Sequence, residues 1–280
     1  YDTFESNLKI VATGSSAFYI DRKFTDSLAG RKRIFNLHPL SYEEFLSFKN
    51  AKELQAEIHS LINLEGYESR QMEILTNYFN EYLTYGAYPA VVLEQRNEEK
   101  IQLLAELKNA YIKRDLLESN IANEGKFYLL LQILADQVGS LVNKKELGTT
   151  LQLDSKTVDN YLYILQKCYH VQLIRPFYRN IRKELTKMPK VFFNDLGLRN
   201  SLLNRFSAPE TRSDKGALLE NYVFTQLRQK YTLDQIKFWR TADQKEVDFV
   251  IEERFGEGKA YEVKWNALNF KQKKYKQFRE

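Results

Sequence analysis

The stretch EVDFVIEERFGEGKAYEVKWN at residues 246–266 alternates apolar and polar side chains on either side of a glycine-containing turn. Such alternation is typical of two antiparallel β-strands joined as a hairpin. The turn predicts a register in which residue 252 pairs with residue 258, and therefore residue 248 with residue 262. We therefore expect two carboxylates to face each other across the hairpin.

Strict alternation places Asp248 on the face opposite Val247 and Phe249, together with Glu262 and Lys264. Opposed like charges in a sheet are destabilising, so the two carboxylates need a cation, a shared proton or open water. Mg²⁺ takes one or two carboxylates and keeps bound waters for phosphate chemistry. The pattern predicts Asp248 and Glu262 as metal ligands and Lys264 as a catalytic lysine that orients a water or stabilises charge.

The helix predicted over residues 214–231 adds a fourth charged group. Its Glu220 borders the apolar stripe of Leu219, Val223 and Leu227, so it can lean toward the sheet and serve as an outer metal ligand. In the alternative interpretation, Glu220 is a boundary residue and the charges of residues 248, 262 and 264 form a solvated hairpin face.

Bulk composition sets the wider limits. The chain has 280 residues, 43% hydrophobic and 28% charged, which favours two or three globular units. Its single cysteine and three histidines exclude a disulfide framework and a zinc finger. We find no apolar run long enough for a membrane span and no signal peptide, so we expect a cytoplasmic protein. A net charge of +5 permits nucleic acid as a partner.

Residues 123–206 have the order of a winged helix-turn-helix: three helices, with Asp154 or Ser155 capping the third, and then two strands. A winged helix places its third helix in the major groove of DNA, with phosphate contacts from its flanks and wing. The predicted DNA-facing positions on the third helix and the wing are Lys156, Thr157, Asn160, Arg179, Arg182 and Lys183. Winged helices also act as protein-interaction or linker modules, and that alternative stays open.

The N-terminal segment reads as part of an α/β unit. LKIVA at residues 8–12 is a buried parallel strand ending in small polar residues, and RIFNL at residues 33–37 is strand-like. Ser41 and Glu44 form a capping box at the start of a short helix. Because the chain begins with Tyr1, we expect it to be a piece of a longer product.

The quoted phrases also resemble a known family. A Glu-bearing helix followed by strands with Asp and with E-x-K resembles the restriction-endonuclease-like PD-(D/E)xK core. The wider resemblance is to prokaryotic AAA-superfamily ATPases that carry a C-terminal domain of unknown function. It rests on IVATGSS (10–16), SLAGRKRIFNLHPLSYEEFL (27–46), YGAYPAVV (85–92), FFNDLGLRNSLL (192–203), KGALLENYVFTQL (215–227), FWRTADQKEVDFVI (238–251) and YEVKWN (261–266).

The resemblance implies a multidomain α/β protein. It divides the chain into the end of an AAA-type ATPase domain (1–48), a helical lid or linker (49–122), the winged helix-turn-helix (123–206) and a nuclease-like domain cut short at its end (207–280). The phosphate-cradling GxxxxGK[ST] loop is absent from this sequence, so ATP would bind through residues that the family places upstream of Tyr1.

The same resemblance assigns nucleotide-sensing roles. Thr13 and Ser15 match the strand-end polar position that senses the γ-phosphate. Arg31 matches an arginine acting on nucleotide within its own subunit or from a neighbour in a homo-oligomer, although a surface salt bridge is the alternative. The expected function couples nucleotide state to DNA through the winged helix and a Mg²⁺-dependent nuclease-like domain. The alternative is a non-catalytic ATPase whose nuclease-like fold docks a protein partner.

Overall fold

The computed structural model describes residues 11, 13–14, 33–64, 66–119, 121–254, 257–266 and 268. The described chain is a mixed α/β structure. Its helices are α1 (Tyr42–Phe48), α2 (Glu53–Asn63), α3 (Met72–Tyr85), α4 (Pro89–Leu93), α5 (Asn97–Ser119), α6 (Glu124–Asp136), α7 (Lys144–Leu151), α8 (Ser155–Lys167), α9 (Ile181–Thr186), α10 (Leu196–Leu203) and α11 (Lys215–Lys230). Its strands are β1 (Val171–Pro176), β2 (Lys190–Phe193), β3 (Ile236–Arg240), β4 (Glu246–Arg254) and β5 (Glu257–Tyr261).

The strands form one mixed sheet in the order β2-β1-β3-β4-β5. β1 pairs antiparallel with β2 and parallel with β3, and the last three strands form an antiparallel meander. The sheet therefore continues across the predicted boundary at residue 207. Strands expected in two separate domains share hydrogen bonds, so the predicted wing and the C-terminal hairpin are mechanically joined.

Local sequence signals for the helices are confirmed. Ser41 and Glu44 make the reciprocal bonds of a capping box at α1. The Asp154 side chain accepts the backbone N–H groups of Lys156 and Thr157 at the start of α8. Helices α6, α7 and α8 are followed by the antiparallel pair β1 and β2, in the predicted order.

The expectation for residues 33–37 needs correction. RIFNL at residues 33–37 lies outside the strands of the described chain, and its Ile34, Phe35 and Leu37 are exposed. Their apolar side chains predicted a strand, but within the described ranges no sheet partner covers them. The basic connection between β1 and β2 contains a short helix, α9, which Asn180 caps.

Aromatic packing holds α11 against the sheet. Phe224 of α11 stacks on Phe192 of β2 at 4.8 Å, and Phe192 lies 5.4 Å from the ring of Phe249 in β4. All three side chains are fully buried and form one cluster with Ile251. Burial of this kind stabilises by roughly 1.5–3 kcal/mol per large side chain. It positions Glu220, on the same helix, over the sheet.

The phrases YGAYP and NDLG meet where α3 ends and α10 begins. Gly86 ends α3 with φ of 76°, which favours glycine, and a Cβ there would lie 2.4 Å from Asp195 Oδ1. Asp195 caps α10 by accepting the N–H of Leu198, and it also accepts the N–H of Ala87 at 2.7 Å. Burial raises the pKa of Asp195 to about 6, against the lowering effect of these hydrogen bonds.

Within the described ranges, none of the helices is long and apolar enough to span a lipid bilayer.

Candidate functional site

The predicted hairpin register is confirmed. Residue 252 pairs with residue 258, and the ladder runs through Phe249 opposite Tyr261. The next pair in this register is Asp248 and Glu262, although β5 ends at Tyr261. The sequence therefore brings the two carboxylates to the end of the hairpin ladder.

The predicted division of faces is wrong for β4. The register between β3 and β4 shifts by one residue between Lys237 and Trp239, as in a β-bulge. As a result Val247 packs with Trp239 and Val250, while Phe249 packs against α11. Val247 and Phe249, which strict alternation places on one face, therefore belong to different hydrophobic clusters. Asp248, within this irregular part of β4, lies close enough to α11 for its charge to raise the pKa of Glu220.

Asp248, Glu262 and Lys264 form a compact group, which we call the hairpin triad. Lys264 Nζ donates to Glu262 Oε1 and lies 3.9 Å from Asp248 Oδ2. Asp248 Oδ2 also accepts the backbone N–H of Val263 at 2.7 Å, which takes the place of a ladder bond where β5 ends. The Glu262 side chain is only 9% exposed, and its Oε2 has no hydrogen-bond partner among the described residues. A buried carboxylate oxygen without a donor is an open acceptor.

A second group lies beside the triad, and we call it the lysine clamp. Lys190 Nζ, at the start of β2, lies 2.9 Å from Glu220 Oε1 and 2.6 Å from Glu246 Oε1. Glu246 Oε2 also accepts from Arg240 Nη1 at 3.0 Å. Glu220 thus leans onto the sheet, and a Cβ on Gly139 would approach its Oε2 to 3.1 Å.

The electrostatics of the two groups are linked. Burial raises the pKa of Glu220 to about 7, the charge of Lys190 acts to lower it, and the charge of Asp248 raises it further. Burial likewise raises the pKa of Asp248, the N–H of Val263 opposes this, and the Glu262 charge adds to it. Four carboxylates share this region with Lys190, Lys264 and Arg240, so the group carries one excess negative charge when all four carboxylates are ionised.

The donor chemistry fits a hydrated divalent ion rather than an all-protein cage. In the described part of the chain, no group of three or more His, Cys, Asp and Glu side chains is arranged to hold a metal ion. Asp248 and Glu262 provide two carboxylates, and Glu262 Oε2 is free to accept. That number suits Mg²⁺, which is commonly held by one or two carboxylates and keeps several waters.

The predicted DNA-facing residues lie on α8 and around α9. Lys156, Asn160, Arg182 and Lys183 are exposed, as is Arg179. Thr157 is half-buried, and its hydroxyl donates to Asp154 Oδ2 at 2.5 Å. The capping role of Thr157 therefore occupies its hydroxyl.

The predicted nucleotide-sensing residues fall mostly beyond the described ranges. Ser15 and Arg31 lie outside the described residues, and Thr13 is exposed. Their proposed roles rest on the resemblance alone.

Lys190, Glu246 and Arg240 were not assigned to the site from the sequence. The available signal was a lysine at the head of KVFF, an otherwise apolar and buried strand. A lysine is almost never fully buried unless it is paired, so its position implied carboxylate partners. Their identity depends on tertiary pairing over 30 and 56 residues.

Family models match three consecutive parts of the chain. A model described as an AAA domain matches residues 1–46. Domain of unknown function DUF8612 matches residues 76–208, and domain of unknown function DUF4143 matches residues 215–280. The chain is similar to AAA-like ATPases. The two other models name no activity.

Curated relatives extend the likeness over most of the chain. An uncharacterised protein of Methanocaldococcus jannaschii is 27% identical over 262 residues, covering 91% of this chain and 54% of the relative. One from Haemophilus influenzae is 26% identical, covering 87% of this chain and 56% of the relative. One from Mycobacterium tuberculosis is 26% identical over 170 residues, or 60% of this chain and 38% of the relative. The chain spans about half the length of the first two. No solved structure matches the chain significantly.

Proposed function

We propose that this chain is the C-terminal portion of an AAA-family ATP-binding protein that couples nucleotide state to DNA. In this proposal residues 123–206 act as a winged helix, and residues 207–280 carry a restriction-endonuclease-like site that uses Mg²⁺. ATP binds through residues outside this chain, and Thr13, Ser15 and Arg31 sense it. The observation that carries the nuclease proposal is the hairpin triad, with the buried, unpartnered Oε2 of Glu262.

The roles of the triad follow from its contacts. Asp248 and Glu262 hold the ion, with Glu220 further out, and the ion would polarise a phosphate oxygen or activate a water. Lys264, held by Glu262 and 3.9 Å from Asp248, brings an ammonium to the same point. A fixed cation there stabilises the charge that develops on phosphate during attack.

The bulge at β4 and the Val263 N–H keep this geometry without the ion. Asp248 is anchored by a backbone donor, so its carboxylate does not depend on metal for its orientation. Preorganised groups cost little reorganisation when substrate arrives.

The first expected result concerns metal-dependent cleavage of DNA. Asp248→Ala and Lys264→Met should each lower the cleavage rate by on the order of a hundredfold or more, because each removes charge at the reacting centre. Asp243→Ala is the matched control, since Asp243 is an exposed carboxylate that pairs with Lys245 in the turn before β4. Cleavage by Asp248→Ala at the parent rate, in Mg²⁺ or Mn²⁺, contradicts the assignment.

A second expected result concerns the winged helix. Lys156→Glu and Arg182→Glu should each weaken binding to duplex DNA and lower its salt dependence, because the log–log slope falls by about 1 for each phosphate that is no longer neutralised. Lys113→Glu, on the exposed side of α5, is the control for net charge. Titrations at several salt concentrations measure both quantities. Unchanged affinity and slope in both variants would show that α8 and the α9 region do not read DNA.

One observation favours a second candidate function, a non-catalytic docking platform. Each charged group of the triad has an internal partner: Lys264 bonds Glu262, and Asp248 bonds the Val263 N–H. A nuclease-like fold whose charged groups bond within the protein can bind a protein partner without cleaving DNA. In this candidate, the nucleotide state of the ATPase controls that binding. Absence of divalent-ion binding by the parent protein favours this candidate.

A further inference from the structure

Lys190 is an unusual residue for its position. Only 2% of its surface is exposed, yet its ammonium lies between two carboxylates from different elements, Glu220 of α11 and Glu246 of β4. Removing an ion from water into a protein interior is unfavourable, and paired opposite charges offset that cost. The ammonium also lies 5.5 Å from the ring centroid of Phe238, a cation–π distance.

The ammonium occupies a place that suits a metal ion. Glu220 and Glu246 point oxygens at a common centre, and hard cations such as Mg²⁺ and Mn²⁺ prefer carboxylate oxygens. Asp248 lies nearby: its charge raises the pKa of Glu220, and the charge of Lys190 acts to lower the pKa of Asp248. Without Lys190, the carboxylates of Glu220 and Glu246 would face each other at this point, next to the hairpin triad. Two adjacent ions are a common arrangement for phosphate chemistry.

We propose that Lys190 acts as a built-in cation that limits the site to a single divalent ion, held at Asp248 and Glu262. The lysine clamp fills the second position permanently, and its bond to Glu220 Oε1 keeps Glu220 as an outer ligand of the ion at the triad. This inference rests on the proposed ion site of the hairpin triad and concerns how many ions that site accepts.

The position of Lys190 in the sheet explains how its ammonium reaches Glu220. It comes from β2, at the far edge of the sheet from β5, and its backbone bridges to Leu141. The next residue, Val191, accepts the N–H of Gly139, whose missing side chain leaves room for Glu220. Strand β2, which bonds to the segment between α6 and α7, therefore places the Lys190 ammonium beside α11.

The test counts Mn²⁺ ions and measures thermal unfolding in Lys190→Met. Removal of the ammonium leaves Glu220 and Glu246 buried without a counter-charge, so the variant should unfold at lower temperature in metal-free buffer. Mn²⁺ should restore its unfolding temperature by more than it changes the parent's, and the variant should bind one Mn²⁺ more per chain. Lys187 is an exposed lysine in the connection that leads into β2, and the Lys187→Met variant should behave as the parent.

A double variant keeps the test decisive. Lys190→Met with Glu220→Gln removes one carboxylate and should fold without metal and lose the additional ion. If the single variant fails to fold in metal-free buffer, recovery of folded protein by Mn²⁺ supports the proposal. Failure of Mn²⁺ to recover it, while the double variant folds, overturns the proposal.

The two proposals fail in different ways. If the parent binds no Mn²⁺ and Lys190→Met binds one ion, the ion site of the triad is wrong, and only the part of the proposal in which the Lys190 ammonium occupies an ion position is supported. If the parent and Lys190→Met bind the same number of ions, with equal thermal responses, the role of Lys190 is wrong. Isothermal titration and Mn²⁺ paramagnetic resonance give the ion count independently of catalysis.

Discussion

Gly197→Ala is expected to destabilise the protein by about 3 kcal/mol or more, a loss at the severe end for a single substitution. A Cβ at residue 197 would lie 2.0 Å from the carbonyl oxygen of Tyr85 and 3.0 Å from Leu104 Cδ2. The nearest obstacle is backbone at the end of α3, which cannot move aside as a side chain can. The methyl group would therefore separate α10 from α3 and disturb the Asp195 bonds that join them.

Gly216→Ala provides the matched control. Gly216 lies in the first turn of α11, is exposed, and an added Cβ there meets nothing within 4 Å. Alanine favours helix over glycine by about 0.8–1.0 kcal/mol, so this variant should be slightly stabilised. Denaturant titration of both variants measures the difference. A Gly197→Ala protein as stable as the parent would mean that α3 and α10 do not approach as described.

Local patterns predicted the capped helix starts and the hairpin. The capping groups at Ser41 and Asp154 depend on neighbours in sequence, which one chain displays directly. The register of β4 and β5 was predictable for the same reason, since a short turn and strand alternation determine it.

Long-range pairing explains what the sequence could not predict. The bulge beside Asp248 lies in the pairing of β4 with β3, and it overturned the assumption of strict alternation around Asp248. The parallel pairing of β1 with β3 joins strands about 60 residues apart in sequence, as Arg175 opposite Lys237 illustrates. The prediction of a strand at RIFNL was wrong because it rested on composition alone. Strand formation also depends on a neighbouring strand to pair with.

In the candidate site, too, the locally encoded groups were predictable and the groups placed by long-range pairing were not. Asp248, Glu262 and Lys264 were predicted to converge, and the structure brings them together. Lys190 was not predicted, because its two carboxylate partners come from α11 and β4. The local signal was the lysine at the head of KVFF, an otherwise apolar strand.

The second large effect concerns divalent-ion binding by Asp248→Asn. The asparagine side-chain oxygen can still accept the Val263 N–H, so the end of the hairpin should keep its geometry. The carboxylate charge is lost, and a hard cation binds a neutral amide oxygen less strongly than a carboxylate. We expect Mn²⁺ affinity to fall by more than about a hundredfold, beyond the loss typical for outer-shell partners.

Glu262→Gln tests the other carboxylate of the triad. It replaces the buried oxygen that has no hydrogen-bond partner among the described residues, so it should weaken Mn²⁺ binding to a similar degree. Glu253→Gln is the control, because Glu253 is an exposed carboxylate near the turn of the same hairpin and is paired with Lys259.

The most direct measurement is Mn²⁺ titration of the parent protein, Asp248→Asn and Glu262→Gln, followed by calorimetry or paramagnetic resonance. An ion site at the hairpin triad predicts saturable binding of one Mn²⁺ by the parent and by Glu253→Gln, with binding lost in the two triad variants. A parent that binds no Mn²⁺, or triad variants that bind it as tightly as the parent, would contradict the ion site and favour the docking platform.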